Sequence, residues 1–385
     1  MDLQQPVPSR EKGHRDLHDG RGELTLEQMP QEPSTPLFPM HELLPKLTLL
    51  ERTRLDCLTS FNFAEFQNFQ QIQPAQAPIS IVVAHPEKHI LYKGFRILER
   101  RVFALVNDAH ESPESKIRPF LCFLKLGHIC LLAGDNVRAL SAYQRALDLR
   151  SDLFWRDPAA QYGLGIVYLH FRSHRNSVRA FSELLYSNPN IAVAADVHAR
   201  LGVAYRCIGD HALALKHFKC ALHDARDSAF LPKAHLKLNV ALCYDSAGDI
   251  SKAYQECQQL LHEENASGVP SSPQSNQLRA AILRELGWLC YRMDSDFHSE
   301  ARRMKLVEAE QHLSLSKQIV PESGKTYYYL GRCYGEQTPH RAHEAFVHYR
   351  FSIDKSEADA DTWCSIGVLY SQQQQPMDAL QVYCV

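Results

Sequence analysis

Histidine and cysteine are the residues through which this chain could do chemistry, and its 385 residues hold 20 His and 11 Cys. Zinc-assisted hydrolysis of the zincin kind needs two histidines at i and i+4 on a helix, with a glutamate beside the first as general base. His343, Glu344 and His348 imitate that pattern, but the second His comes five residues on. Five residues turn a helix to about 140° from the starting face, so the two imidazoles do not share an ion. A solvated helix face is the better reading. His14-Arg15-Asp16 has the His-x-Asp spacing of a non-haem iron facial triad and the letters of a kinase catalytic loop. It sits in a polar tail with no strands around it, which supplies neither scaffold. No Walker-type loop, Gly-x-Ser-x-Gly elbow or Gly-rich phosphate turn occurs. The cysteines form no Cys-x-x-Cys pair, and Cys243, Cys290 and Cys333 fall inside apolar helical patterns, as reduced buried thiols do. No catalytic residue and no metal ligand is therefore assigned.

The surrounding sequence explains why. With 42 basic against 44 acidic side chains there is no excess of cations for a broad phosphate-binding surface. No apolar run reaches the ~18 residues of a membrane span, and Met1 to Arg15 lacks a signal-peptide core. An intracellular protein is expected, with the Asn265-Ala266-Ser267 sequon as plain loop. Ten of the 20 prolines precede residue 90, so 1–88 reads as a mostly disordered segment. Within it, Leu and Phe at helical spacing predict a short helix inside 41–66. From residue 89 to 385 the pattern is helical with little interruption.

Over that stretch one arrangement recurs: Leu-Gly, then an aromatic or Cys three residues after the Gly, a small residue about twelve after it, and a large one four beyond. The glycine positions are Gly127, Gly165, Gly202, Gly287, Gly331 and Gly367, with Ala241 replacing glycine in the fourth copy. The second small positions are Ala139, Ser177, Ala214, Ala253, Ala309, Ala345 and Ala379. Small residues at both places let the two helices of a hairpin approach closely, and the large residue fills the gap left. Gly134, Gly209 and Gly248, each followed by Asp, mark where the first helix ends, and Pro189 and Pro321 stop the second. The fifth copy carries an insertion between its helices. The pattern resembles the tetratricopeptide repeat. It implies an all-α, right-handed superhelix of about six complete hairpins and a truncated seventh.

In such arrays the first helix of each hairpin lines a concave groove that takes extended peptides or helices. Polar residues on that helix, His128, Arg206, Asp245 and Arg332, are the candidate groove contacts. The Lys/Asn clamp that some arrays use for a peptide carboxylate is missing, because the residues after the glycine position include no Asn. Two residues before it only Asn239 is an Asn, so no Asn ladder exists either.

The segments "YYLGRCYGEQ" and "SIDKSEADADTWCSIGVLYSQQQQPMDALQVYC", with "LGHICLLAGDNVRALSAYQRAL" and "LRELGWLCY" upstream, are similar to the repeat region of the ubiquitously transcribed, X- and Y-linked histone H3 lysine-27 demethylases. The resemblance covers roughly 118–385. It implies a nuclear protein whose array docks it into histone H3 lysine-4 methyltransferase complexes. It also implies a downstream jumonji-C domain using Fe(II) and 2-oxoglutarate, so neither cofactor is expected in this chain. Ending at Val385, inside the seventh hairpin, the sequence is expected to be a fragment. The alternative is a tetratricopeptide adaptor or corepressor subunit without any demethylase domain. No direct nucleic-acid site and no membrane contact is expected.

Overall fold

The computed structural model describes residues 47–60, 88–107, 116–266, 273–293, 300–336, 341–355 and 360–384. All belong to one compact unit, Pro45–Val385. His14-Arg15-Asp16 and the rest of 1–46 lie outside the described residues, as do 61–87. Among the described residues there are helices and no strand.

Helix α1 (Leu49–Thr59) falls inside the stretch where a short helix was expected. It begins at a capping box: Thr48 Oγ1 accepts from the Glu51 N–H at 3.2 Å and Glu51 Oε2 accepts from the Thr48 N–H at 2.9 Å. It packs against α2 (Lys88–Asn107) and α3 (Ile117–Leu132). Glu51 also accepts from Lys93 of α2 at 2.7 Å, and that bond, with the Thr48 cap, holds its carboxyl down at about 2.

Seven helical hairpins follow. They pair α3 with α4 (Asn136–Leu149), and α6 (Pro158–His170) with α7 (His174–Ser187), after the short α5 (Ser151–Phe154). Next come α8 (Ala194–Ile208) with α9 (His211–His223), and α10 (Lys233–Ser246) with α11 (Ile250–Ala266). Then α12 (Pro273–Arg292) pairs with α13 (Glu300–Ile319), and α14 (Gly324–Glu336) with α15 (Ala342–Lys355). The last pair is α16 (Ala360–Gln372) with α17 (Pro376–Tyr383), whose second helix has 8 residues. The two helices of each hairpin pack on each other, and the second helix of each of the first six packs on the next hairpin, which is the tetratricopeptide arrangement the repeat implies.

The hairpins close through the recurring residues. A Cβ placed on Gly165 would lie 2.6 Å from the Phe181 ring, one on Gly202 2.6 Å from Phe218, and one on Gly331 2.5 Å from Tyr349. Gly127 meets Tyr143, Gly287 meets Leu313, and Gly367 meets Tyr383 in the same way. The second small residues Ala139, Ala214, Ala253, Ala309, Ala345 and Ala379 are all buried. Ser177, at the same position of the second hairpin, donates its hydroxyl to the carbonyl of Gly165 at 2.9 Å. In the fourth hairpin the pair is resized at both ends: Ala241 stands for the glycine and Cys257 for the ring, both buried in one cluster.

The turns use the cysteine or tyrosine of the repeat for its backbone. The N–H groups of Asp135, Ser173, Asp210, Asp249 and Gln375 donate to the carbonyls of Cys130, Tyr168, Tyr205, Tyr244 and Tyr370 at 2.9–3.0 Å. These are the six-to-one bonds of Schellman caps. The residue before each donor is left-handed: Gly134 at φ 80°, Gly209 at 93° and Gly248 at 87°, but Arg172 at 56° and Gln374 at 59°. The Asp of each Gly-Asp pair then caps the following helix, as Asp210 does by accepting from the Leu213 N–H at 3.0 Å. The glutamine run 372–375 is thus the seventh turn, ending at Pro376. Inside the fifth copy, the insertion is partly helical: α13 starts at Glu300, and Arg302 in its first turn is buried.

Candidate protein-binding groove

The first helices of successive hairpins, α10, α12, α14 and α16, present side chains that hairpin packing does not consume. Asp245 of α10 is ion-paired with Arg292 of α12. On α12, Trp288 stacks between Tyr291 (ring centroids 5.2 Å apart) and Tyr329 of α14 (4.2 Å). Lys325 lies over the Tyr329 ring and reaches Glu285 at 3.2 Å, where Arg284 also donates at 3.1 Å. Arg332 of α14 donates to the hydroxyls of Tyr291 at 3.2 Å and Tyr328 at 3.3 Å. Burial raises the Tyr291 phenol, so it remains a neutral partner for the guanidinium near neutral pH.

These contacts border a hollow of about 390 Å³ between α14 and α16. Tyr291, Tyr328 and Arg332 form one wall, and Asp361, Ser365 and Val368 of α16 another, with Glu336 at the rim. Glu336 is fixed by Arg302, whose guanidinium donates to both carboxylate oxygens at 2.7 and 2.6 Å and also to the Tyr291 carbonyl. A wall of phenols, a guanidinium, two carboxylates and an exposed valine suits a polypeptide, combining hydrogen bonds to backbone with an apolar seat for a side chain. A second hollow, of about 400 Å³, is lined only by Pro158 and the inter-hairpin turn 187–191 and holds no ionisable side chain.

The four groove candidates do not share one environment. Arg332 lines the hollow, whereas Asp245 is part-buried in its pair with Arg292 outside it. Arg206 of α8 is half-buried, with its Nε enclosed and without a hydrogen-bond partner. His128 is a correction: it is 2% exposed and shares a 2.8 Å hydrogen bond with the Tyr143 hydroxyl. Burial holds its pKa down at about 3, so it is a neutral core residue unable to meet a partner. The cause is the ring position of its hairpin. Tyr143 is one atom longer than the phenylalanines at the same place, and its hydroxyl needs both a hydrogen bond and space. His128 supplies the bond, and Gly163 of the next hairpin supplies the space, since a Cβ there would meet the hydroxyl at 2.3 Å.

Reading the sequence missed two further polar residues. Asp196 of α8 is fully buried and accepts from the Ser228 hydroxyl at 2.6 Å, the Phe230 N–H at 3.2 Å and the Tyr162 hydroxyl at 3.4 Å. It pins the link between the third and fourth hairpins. Arg302, at the insertion of the fifth copy, holds Glu336 in the lining of the hollow. Of the pattern imitating a zincin helix, His343 is exposed while His348 bonds the Glu344 carbonyl and packs on Tyr334.

No family model matches the chain. It is 31% identical over 222 residues to the general transcriptional corepressor ssn6 of Schizosaccharomyces pombe, a match covering 57% of this chain and 18% of that protein's length. Solved structures with similarity include a tetratricopeptide repeat protein from Parabacteroides merdae, at 14% identity and TM-score 0.49 over 68% of this chain and 90% of that one. The APC/C hetero-tetramer Cut9-Hcn1 gives 13% identity and TM-score 0.44 over 86% of this chain and 69% of that one. The helices and their pairing give the chain the fold of a tetratricopeptide-type repeat array.

Proposed function

We propose that this chain holds a protein partner of the nuclear chromatin machinery by gripping an extended segment between α14 and α16. The observation that carries the reading is the hollow around Arg332, where charged and aromatic side chains are held in place yet remain open to a ligand. The resemblance of 118–385 to the repeat region of the histone H3 lysine-27 demethylases supports subunits of histone H3 lysine-4 methyltransferase complexes as the partners. In that reading, the Fe(II)- and 2-oxoglutarate-dependent chemistry belongs to another domain.

A second reading, a corepressor adaptor with no demethylase attached, draws on the 31% identity to ssn6. The two share the groove and differ in what it holds. Tagged chain and an Arg332→Glu variant, each recovered from nuclear extract, separate them. Methyltransferase subunits retained by the wild type and lost by the variant support the first reading. Repressor proteins retained without methyltransferase subunits support the second. Equal recovery of every partner by both chains refutes the groove.

A further inference from the structure

We propose that Cys290, Glu308 and His312 form a binding site for a divalent transition ion of the zinc class, which staples the two helices of the fifth hairpin. One donor atom from each residue lies within 4.8 Å of the other two. Cys290 comes from α12, and Glu308 and His312 from α13, one turn apart on the same face. The thiol is fully buried, whereas Glu308 and His312 are part-buried and give the ion a way in from solvent. His312 turns its Nε2 toward Glu308 Oε1 at 3.8 Å, one turn away on the same helix.

Sulfur, imidazole nitrogen and carboxylate oxygen are the donors that Zn²⁺ takes at tetrahedral sites, while Mg²⁺ and Ca²⁺ prefer all-oxygen sets. The charges balance, since a thiolate and a carboxylate neutralise the dication and the imidazole stays neutral. Glu308 already has outer support of the kind that orients metal-bound carboxylates: Tyr254 donates to one oxygen at 2.6 Å and Lys305 to the other at 2.7 Å.

Binding exchanges a proton for the ion: the Cys290 S–H bond breaks, a sulfur–metal bond forms, and H⁺ leaves to solvent. Because the thiol must give up its proton to bind, affinity rises with pH. The position suits a staple. Gly287 and its partner Leu313 are 26 positions apart, where Gly127 and Tyr143 are 16, and the fifth hairpin packs a leucine in place of a ring.

Co²⁺ titrated into the purified, reduced chain tests the site, because thiolate-bound tetrahedral cobalt has an intense near-ultraviolet charge-transfer band and strong visible bands. One equivalent of Co²⁺ is expected to develop both, with Zn²⁺ displacing it and Mg²⁺ not. Cys290→Ser removes the near-ultraviolet band, and His312→Gln, at a part-exposed position the fold tolerates, weakens Co²⁺ binding at least about tenfold. Absence of the bands in the wild type overturns the proposal. So does a band unchanged in His312→Gln, which places the ion on the exposed cysteines. If Cys290→Ser does not fold, the His312→Gln titration decides alone.

Discussion

Gly202→Ala places a single methyl where the third hairpin has no room for it. The new Cβ would stand 2.6 Å from both Cδ1 and Cε1 of Phe218 and 2.8 Å from Cζ, against an ordinary carbon contact of about 3.5–4.0 Å. The Phe218 ring is fully buried, so it cannot swing out as a surface side chain would. Two opposing effects set the sign. Replacing glycine by alanine inside a helix gains roughly 0.8–1 kcal/mol of propensity. Overpacking a filled core costs roughly 1–3 kcal/mol. The close approach is to the middle of a held ring, which puts the cost in the upper part of that range and leaves a net loss of about 1–2 kcal/mol. Native-state hydrogen exchange of the α8 and α9 amides reads that loss locally, which matters because a repeat array does not unfold as one two-state unit. Phe218→Cys alone deletes the ring and costs about 3–5 kcal/mol by analogy with Phe→Ala. With Gly202→Ala it recreates the Ala241 and Cys257 pair of the fourth hairpin, and the double variant is expected to lose less than the sum of the singles. Greater protection in Gly202→Ala, or strict additivity in the double variant, refutes the interlocking of glycine and ring.

Two other outcomes follow from buried ionisable groups. His128 is held neutral by burial with a pKa of about 3 against 6.5 when exposed, so the unfolded chain takes up the proton first as pH falls. Its contribution is fully present above pH 6.5 and is lost as pH falls towards 3, a change of about 2 kcal/mol by pH 5. Hydrogen exchange of the α3 and α4 amides at pH 7 and pH 5 should show a smaller difference in stability in His128→Gln, which still offers Tyr143 a partner; an unchanged difference contradicts the assignment. Arg302 and Glu336 form an ion pair with side chains 6% and 11% exposed. Arg302→Ala is expected to cost about 3–5 kcal/mol in hydrogen exchange of the α13 and α14 amides, and Arg302→Met with Glu336→Leu far less, since breaking a buried pair strands a charge and replacing it does not. Equal losses in the two proteins would show that the pair is not coupled.

The fold was legible because its rule is local and repeated. A glycine and a ring 16 positions apart in four of the hairpins appear in the sequence as they meet in space, and the Gly-Asp turns announce both a helix end and the next cap. The groove was harder to read. The position after the repeat glycine carries His128, Arg332 and Val368 alike, yet the first faces the core and the others the hollow. What separates them is Tyr143, a contact fifteen residues away whose hydroxyl captures His128. The pairing of Tyr143 with Gly163 could have signalled it, since Gly163 has no place in the repeat pattern itself. Asp196 and Arg302 left no such trace, because Ser228 and Phe230, the partners of the first, sit in a link, and Arg302 itself sits in an insertion, where the repeat imposes no spacing.

The hollow between α14 and α16 is tested most directly by where a bound partner touches the chain. Val368 of α16 and Val307 of α13 are 48% and 49% exposed, on the first helix of one hairpin and the second helix of another. A photoreactive phenylalanine analogue placed at each in turn makes a matched pair of probes, used with the partners recovered from nuclear extract. Crosslinking to the same partner from position 368 and not from 307, abolished by Arg332→Glu, is the expected result. Crosslinking from 307 with none from 368 would place the partner on the other helices of the array and contradict the groove.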